Sequence, residues 1–514
     1  MNDPNSEENG SMTSAPPHSS PGATRVAGAL ASTVSDSKWK PATWILLIVL
    51  CGALFLDGLD LTMVGVALPD IGRDLHLSAS SLQWIVSGYV LGYGSLLLLG
   101  GRASDLLGRR RVFLAALCVF GAASVVSTFV DSDILLIALR FIKGASAAFT
   151  VPAGLSIINT TFTEGKARSR AMGIYAACGA SGFSLGLIFG GLLTELNWRL
   201  TFLVPGPIAL ALVVAGLRVI PRVPREKLSL SGLDLRGAVT CTAALLLLVY
   251  AVVEAPTHGW GSLSTIGLLA LSVALMAVFV VLERRHATPL LRLGILRSAP
   301  LVHANISAAV MFGGYVAFQF LVTLYVQNSL GWSPIHMALA FLPGGLIVVL
   351  SGSKIPLLLE RFSTVKLLLA GLLAFAAAYA LFLRVSPGQA YANFMLPTIL
   401  LLGVGFALCF PAVNVQATAG VKDEEQGLAS GILNSSLQIG GAIVLAVVTA
   451  ILGTGTTHIQ HAQLLPHMKA AIGVTVGITI FALLVTVVQY TRNRRQEAAA
   501  VEAEPSERPE YSEV

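Results

Sequence analysis

Fourteen apolar stretches, each about as long as a bilayer is thick, divide this chain and leave it few folds to choose from. A helix rises roughly 1.5 Å per residue, so about 20 apolar residues cross a hydrocarbon core. The windows lie near 44–66, 83–102, 112–130, 133–156, 169–192, 200–220, 236–254, 262–282, 303–326, 336–353, 366–384, 391–412, 427–451 and 469–490. In lipid every backbone N–H and C=O must be satisfied internally, and segments of this length achieve that only as helices. The pattern predicts an all-α membrane protein with fourteen transmembrane helices. Composition agrees. Of 514 residues 55% are hydrophobic and 12% charged, with mean hydropathy +0.77, whereas a soluble domain carries about 25% charge.

Lys and Arg fall on alternate connections. With a cytoplasmic N-terminus, 25 of them lie inside and only 4 outside, namely Arg73, Arg199, Arg384 and Lys469. The positive-inside rule then puts both termini in the cytoplasm and the chain in the plasma or inner membrane of the cell. Net charge +6 is parcelled between apolar segments, not gathered on one face as nucleic-acid binding requires. Residues 1–42 and 492–514 are polar and read as disordered cytoplasmic tails, and no cleavable signal peptide is visible. The longest charged connection, Arg218 to Arg236, follows the sixth window. It divides a six-helix bundle at 43–221 from a linker at 222–300 carrying helices seven and eight; a second six-helix bundle fills 301–491. Transporters built from such repeats hold substrate between the halves, near the bilayer midplane. Nothing in the pattern demands an oligomer, so a monomer is expected.

Four ionisable residues sit inside these windows: Asp57 and Asp60 in the first, Arg140 and Lys143 in the fourth. A charge at the bilayer centre costs about 2.5–3.5 kcal/mol on insertion scales, so such residues mark ion or substrate paths. If the first helix runs outward from Trp44 and the fourth returns from Asp133, Asp60 and Arg140 both lie roughly 9–11 Å from the outer end. Asp57 and Lys143 both lie roughly 4–5 Å deeper. Each pair is spaced i, i+3 and shares one helical face. The spacing predicts a buried carboxylate–cation cluster that pairs Asp60 with Arg140 and Asp57 with Lys143. As a coupling device, Asp60 takes a proton when the cavity faces outward and releases it when the cavity faces inward, while Asp57 and Lys143 tune or share that proton. The alternative is a static double salt bridge between the first and fourth helices.

The remaining chemistry is sparse. Cys51, Cys118, Cys178, Cys241 and Cys409 all lie in apolar windows without CxxC or Cys/His spacing, and read as small packing residues. His458, His461 and His467 share the last outer loop and read as solvated, with pH sensing or metal binding as the other option. No GxxxxGK(S/T) sequence, catalytic triad or metal-ligand spacing occurs. Neither ATP-driven export by this chain alone nor enzyme chemistry is expected, and no metal or cofactor is called for.

The loop after the second window runs Gly101-Arg102-Ala103-Ser104-Asp105-Leu106-Leu107-Gly108-Arg109-Arg110-Arg111. Its glycines permit a tight turn and close helix approach, and Asp105 can cap a helix or pair with an arginine. The stretch resembles the GxLaDrxGrkxxl signature of the major facilitator superfamily, with Ala103 for the usual leucine. Leu59-Asp60-Leu61-Thr62-Met63-Val64-Gly65-Val66-Ala67-Leu68-Pro69 is similar to the first-helix pattern of the fourteen-helix drug:proton antiporters (EmrB/QacA type). Leu139-Arg140-Phe141-Ile142-Lys143-Gly144 resembles that family's fourth helix, and Gly186, Gly190 and Gly191 its fifth-helix antiporter motif. Trp198-Arg199-Leu200-Thr201-Phe202, Leu233-Asp234-Leu235-Arg236-Gly237, Tyr325-Val326-Gln327 and Gly427-Leu428-Ala429-Ser430-Gly431 with Gln438-Ile439-Gly440-Gly441 extend the likeness from about residue 44 to 490.

The resemblance implies two six-helix bundles plus two extra central helices, and export of a drug, antibiotic or hydrophobic metabolite driven by the proton gradient. Gly101, Asp105, Gly108, Arg109 and Arg110 would then belong to the loop that gates the conformational change. Tyr89, Gln319, Tyr325, Asn414, Asn434 and Gln438 are candidate cavity residues, the alternative for each being a hydrogen bond between packed helices. Four departures stand out. Leu187 replaces the usual fifth-helix proline, Gly65 an asparagine and Lys143 a glutamine, while Asp57 is an addition complementary in charge to Lys143. The missing proline keeps a second reading open, a proton-independent facilitator or an importer of a small metabolite.

Overall fold

The computed structural model describes residues 39–163, 165–221, 234–286, 289–352, 354–386, 390–421, 425–453 and 464–503. Among these are fourteen helices long and apolar enough to cross a membrane: α1 Pro41–Asp74, α2 Ala79–Leu107, α3 Arg109–Ser127, α4 Asp133–Thr161, α5 Lys166–Leu196, α6 Leu200–Val219, α7 Leu235–His258, α8 Leu263–Arg285, α9 Ala299–Ser329, α10 Pro334–Ser351, α11 Thr364–Phe382, α12 Tyr391–Thr418, α13 Gln426–Leu452 and α14 Met468–Arg492. The chain is a multi-pass membrane protein. An even number of crossings returns the chain to the face from which it started, called here the terminal face.

Caps fix several helix starts. Ser78, Ser132, Ser262 and Ser333 each accept a backbone N–H in the first turn of α2, α4, α8 and α10, and Asp234 does so for α7 at 2.8 Å. These are the orphan donors that every helix start leaves open. Helices overrun the apolar windows because polar turns continue them beyond the bilayer core.

Two tail boundaries shift accordingly. The range read as an N-terminal tail ends in structure: Pro41 opens α1 as a first-turn proline should, and the buried Trp39 packs at a tilt against Phe162, ring centres 5.3 Å apart, with the Arg170 guanidinium 4.5 Å from the Trp39 ring centre. At the other end the helix begun by α14 continues past residue 492 to Ala503, through a Glu- and Ala-rich run of strong helix formers. His458, His461, Leu233 and the basic residues Lys38, Arg222, Arg225, Lys227 and Lys422 lie outside the described residues, as do the remaining parts of both tails. His467 is described, and its backbone is left-handed at φ 52°.

The packing repeats itself. In the first bundle α1 packs on α5 and α6, α4 on α2 and α3, and α3 on α6. Eight helices later α9 packs on α13 and α14, α12 on α10 and α11, and α11 on α14. The two bundles meet through α5 on α10 and α2 on α13, contacts that exchange under the same shift of eight. Helices α7 and α8 pair with each other, and α7 lies against α2 and α13 where the bundles join.

Close approaches are made by glycine. Gly182, Gly186 and Gly190 on α5 face the backbone of Phe55, Leu59 and Met63 on α1, and Gly179 faces the Leu54 side chain. The α4 face is similar. A methyl group on Gly144 would overlap the carbonyl of Tyr89 on α2.

Candidate functional site

The i, i+3 spacing on α1 and α4 brings the four ionisable residues together inside the first bundle. Asp60, Arg140 and Lys143 are fully buried, each 0% exposed. Arg140 Nη1 donates to Asp60 Oδ2, and Lys143 Nζ to Asp60 Oδ1. Arg140 Nε also donates to the Ile85 carbonyl at 3.0 Å, and its guanidinium lies 4.5 Å from the Tyr89 ring centre. The Lys143 ammonium sits 4.9 Å from the Phe120 ring and 5.4 Å from that of Phe202. Aromatic faces and a carbonyl thus replace water around the two cations.

This arrangement corrects the expected pairing. Lys143 does not bridge to Asp57; it joins Arg140 on Asp60. The two cations are one turn apart on α4, and the long lysine stem spans the difference in depth that matched heights had seemed to forbid. Asp57, 7% exposed, makes no ion pair, and its Oδ2 has no hydrogen-bond partner among the described residues. Tyr89 donates its hydroxyl to the Asp57 backbone carbonyl at 3.5 Å.

Beside the cluster, between the bundles, lies a cavity of about 30 Å³. Leu61, Thr62, Gly65, Leu68, Val86 and Phe183 line it from the first bundle, and Phe312, Tyr315, Val316, Gln319 and Phe320 from α9. Drug-sized sites occupy about 300–1,000 Å³; this space takes a water or two. The bundles touch on both sides of it. Away from the terminal face, Gln327 Nε2 donates to the Val66 carbonyl at 2.9 Å and Gly191 packs on Pro334, Ile335 and Ala338. Toward the terminal face, Gly431 lies against Leu98.

Of the expected cavity residues, Gln319 lines this space. Its amide nitrogen faces Gly65, the position where the resembled pattern carries asparagine, so a polar group missing from α1 is supplied from α9. The others lie elsewhere. Tyr89 belongs to the charged cluster, and Tyr325 is buried in the second bundle. Asn414 and Asn434 donate to their own helices at Phe410 and Ser430, and Gln438 packs against Gly94 where α2 meets α13. Sequence reasoning named the aromatics Tyr89 and Tyr325 but not this aromatic wall. The signal was there: residues 312, 315, 316, 319 and 320 recur at helical spacing on one face.

The basic loop is short. Helix α2 ends at Leu107 and α3 begins at Arg109, with Gly108 alone turning the chain at φ 94° and ψ 122°. Only glycine takes that conformation without strain. Gly108→Ala is predicted to cost about 1–3 kcal/mol, read as a lower melting temperature of the purified protein; an unchanged value would show that the turn relaxes. Arg110 donates to the Leu217 carbonyl at 2.7 Å, satisfying an orphan acceptor in the last turn of α6. Two expectations fail here. Asp105 neither caps nor pairs, lying exposed in the last turn of α2 without a hydrogen bond or ion pair to a described residue. The close approach is made by Gly100, which faces the Ala148 carbonyl, whereas Gly101 meets Pro152 at an ordinary 3.9 Å. The Arg109 side chain makes no bond to a described residue either.

On α5, Gly186 and Gly190 lie against α1 and Gly191 against α10, while Leu187 is buried and the helix runs unbroken from Lys166 to Leu196. At its far end Arg199 donates to the Thr128 and Val130 carbonyls at 3.2 and 3.1 Å and to Asp131 at 2.6 Å, and Trp198 donates to Asp74 at 2.9 Å. The Trp-Arg pair thus ties the end of α1, the α3–α4 connection and the start of α6 together. Among the described residues no three His, Cys, Asp or Glu side chains gather as a metal site.

Several known proteins resemble this chain. The Major Facilitator Superfamily profile matches residues 50–445. The puromycin resistance protein of Streptomyces alboniger is 39% identical over 81% of this chain and 83% of its own length. The cephamycin export protein of Amycolatopsis lactamdurans is 34% identical over 90% and 95%, and the tetracenomycin C resistance and export protein of Streptomyces glaucescens 30% over 80% and 76%. Among solved structures, the nucleoside transporter NupG superposes with TM-score 0.57 at 13% identity, over 88% of this chain and 99% of its own. The human organic anion transporter MFSD10 gives 0.57 at 16%, over 87% and 100%. The chain belongs to the major facilitator superfamily, and it is of the fourteen-helix drug-exporter type.

Proposed function

We propose that this protein exports lipophilic small molecules in exchange for protons, alternating access between its two bundles, with both termini in the cytoplasm of the producing cell. The observation that carries this reading is the fully buried Asp60–Arg140–Lys143 cluster beside an apolar cavity at the bundle interface. Desolvating three ions costs several kcal/mol each and returns little net stability. Such a cluster within a membrane points to a proton or ion path. Several relatives are named for antibiotics, which favours an antibiotic or a related secondary metabolite as substrate. The aromatic lining suits a planar apolar body, and Gln319 and Thr62 would orient its polar groups.

One observation favours a second reading. With Leu187 in place of proline, α5 carries no break, and a proton-independent facilitator needs none. The two separate in cells that lack other exporters. Cells expressing the protein are loaded with ethidium, puromycin or tetracenomycin C, and accumulation is followed before and after an uncoupler. Low accumulation that rises when the uncoupler collapses the proton gradient is expected. Accumulation that ignores the uncoupler would favour the facilitator.

A further inference from the structure

We propose that Asp57, rather than Asp60, is the carboxylate that takes up and gives up the transported proton, and that Lys143 passes between the two. This deepens the exchange reading above and rests on it. Both carboxylate oxygens of Asp60 are engaged by charged donors, Oδ2 by Arg140 and Oδ1 by Lys143. A proton placed there would leave two buried cations without their anion. Asp57 stands differently. Its Oδ2 is buried and has no donor among the described residues, so ionisation leaves it unsatisfied while a proton removes the charge.

Position supports the assignment. Asp57 precedes Leu61 by one helical turn, and Leu61, Gly65 and Leu68 continue that face along the cavity wall. Asp57 retains 7% exposure where Asp60 has none, so parting of the bundles gives Asp57 the first access to water. The charged and titratable groups around it are Asp60 on its own helix, Tyr89 and Tyr93 from α2, Arg140 and Lys143 from α4, and Tyr175 from α5. With Asp57 protonated, the cluster holds one carboxylate and two cations, and both cations stay on Asp60. When Asp57 loses its proton to water, it becomes an anion without a donor, one turn of α1 from the Asp60 that Lys143 bonds. Asp60 keeps Arg140, and the flexible lysine can transfer to Asp57. Hydronium gives its proton to the Asp57 carboxylate on one side of the membrane, and the carboxyl returns it to water on the other. The α1–α4 contact therefore has two states, and the proton selects between them.

The test uses the full chain in proteoliposomes carrying a pH-sensitive dye, with ethidium, puromycin and tetracenomycin C as probes. Asp57→Asn is expected to lose probe-dependent proton movement while exchange of labelled probe across the membrane persists, and Asp57→Glu is expected to restore the proton movement. Proton movement at the wild-type level in Asp57→Asn would overturn the proposal. A second measurement needs no variant. Dicyclohexylcarbodiimide reacts with protonated carboxyls in apolar sites, and mass spectrometry of the labelled wild type is expected to find it on Asp57; label on Asp60 alone would overturn the assignment. Wild-type protein that exchanges probe without any proton signal would sink the exchange reading itself, and this proposal with it.

Discussion

Asp60→Asn will destabilise the protein by about 3–5 kcal/mol, the range found when one partner of a buried ion pair is removed and the other charge stays. The amide offers one acceptor where two cations need two, and turns its own N–H toward the other. Arg140 and Lys143 are both fully buried, so neither can reach water without separating α1 from α4. The expected signature is a large fall in melting temperature and folded yield, together with loss of export. Adding Lys143→Gln to Asp60→Asn removes the surplus cation and should recover part of the stability, a non-additivity that a double-mutant cycle measures. A melting temperature for Asp60→Asn within a degree or so of wild type, roughly the resolution of such a comparison, would mean that the cluster does not join the helices as described.

The second large effect separates two neighbouring glycines. Gly100→Ala drives a methyl group into the Ala148 carbonyl on α4, whereas Gly101→Ala meets only Pro152 at ordinary contact distance. Backbone cannot yield as a side-chain tip can, so Gly100→Ala is expected to cost about 1–3 kcal/mol by overpacking. Gly101→Ala should leave the melting temperature near wild type. Thermal unfolding of the two purified variants decides the matter, and equal losses would show that α2 and α4 are not packed in this register. The contrast is sharp because the motif letters single out Gly101 and pass over Gly100.

The number of spans was legible because hydropathy windows of about 20 residues carry their own physics. The helix ends were not, since polar residues such as Asp70 to Asp74 continue α1 past the apolar run. The four charges were legible as a set, because ionisable residues in apolar windows cannot be accidental at their cost. Their pairing was not: counting residues gives depth along an axis, whereas Lys143 reaches Asp60 through a side chain that counting cannot see. Asp105 shows the same limit. Its place in the motif suggested a partner, and the fold leaves it exposed at the end of α2. The cavity wall escaped notice for another reason. Phe183, Phe312, Tyr315 and Phe320 look like any packed aromatics until the second bundle is set against the first.

The central claim is that a proton gradient does work on a small molecule through this chain. Purified protein is reconstituted into sealed liposomes and given an imposed pH gradient and labelled puromycin, tetracenomycin C or ethidium, with no other source of energy. The account predicts accumulation of at least one probe above its external concentration in the acidic compartment, collapsing when the gradient is dissipated and absent from protein-free liposomes. Probe that equilibrates to equal concentrations on both sides, with or without the pH gradient, would contradict it.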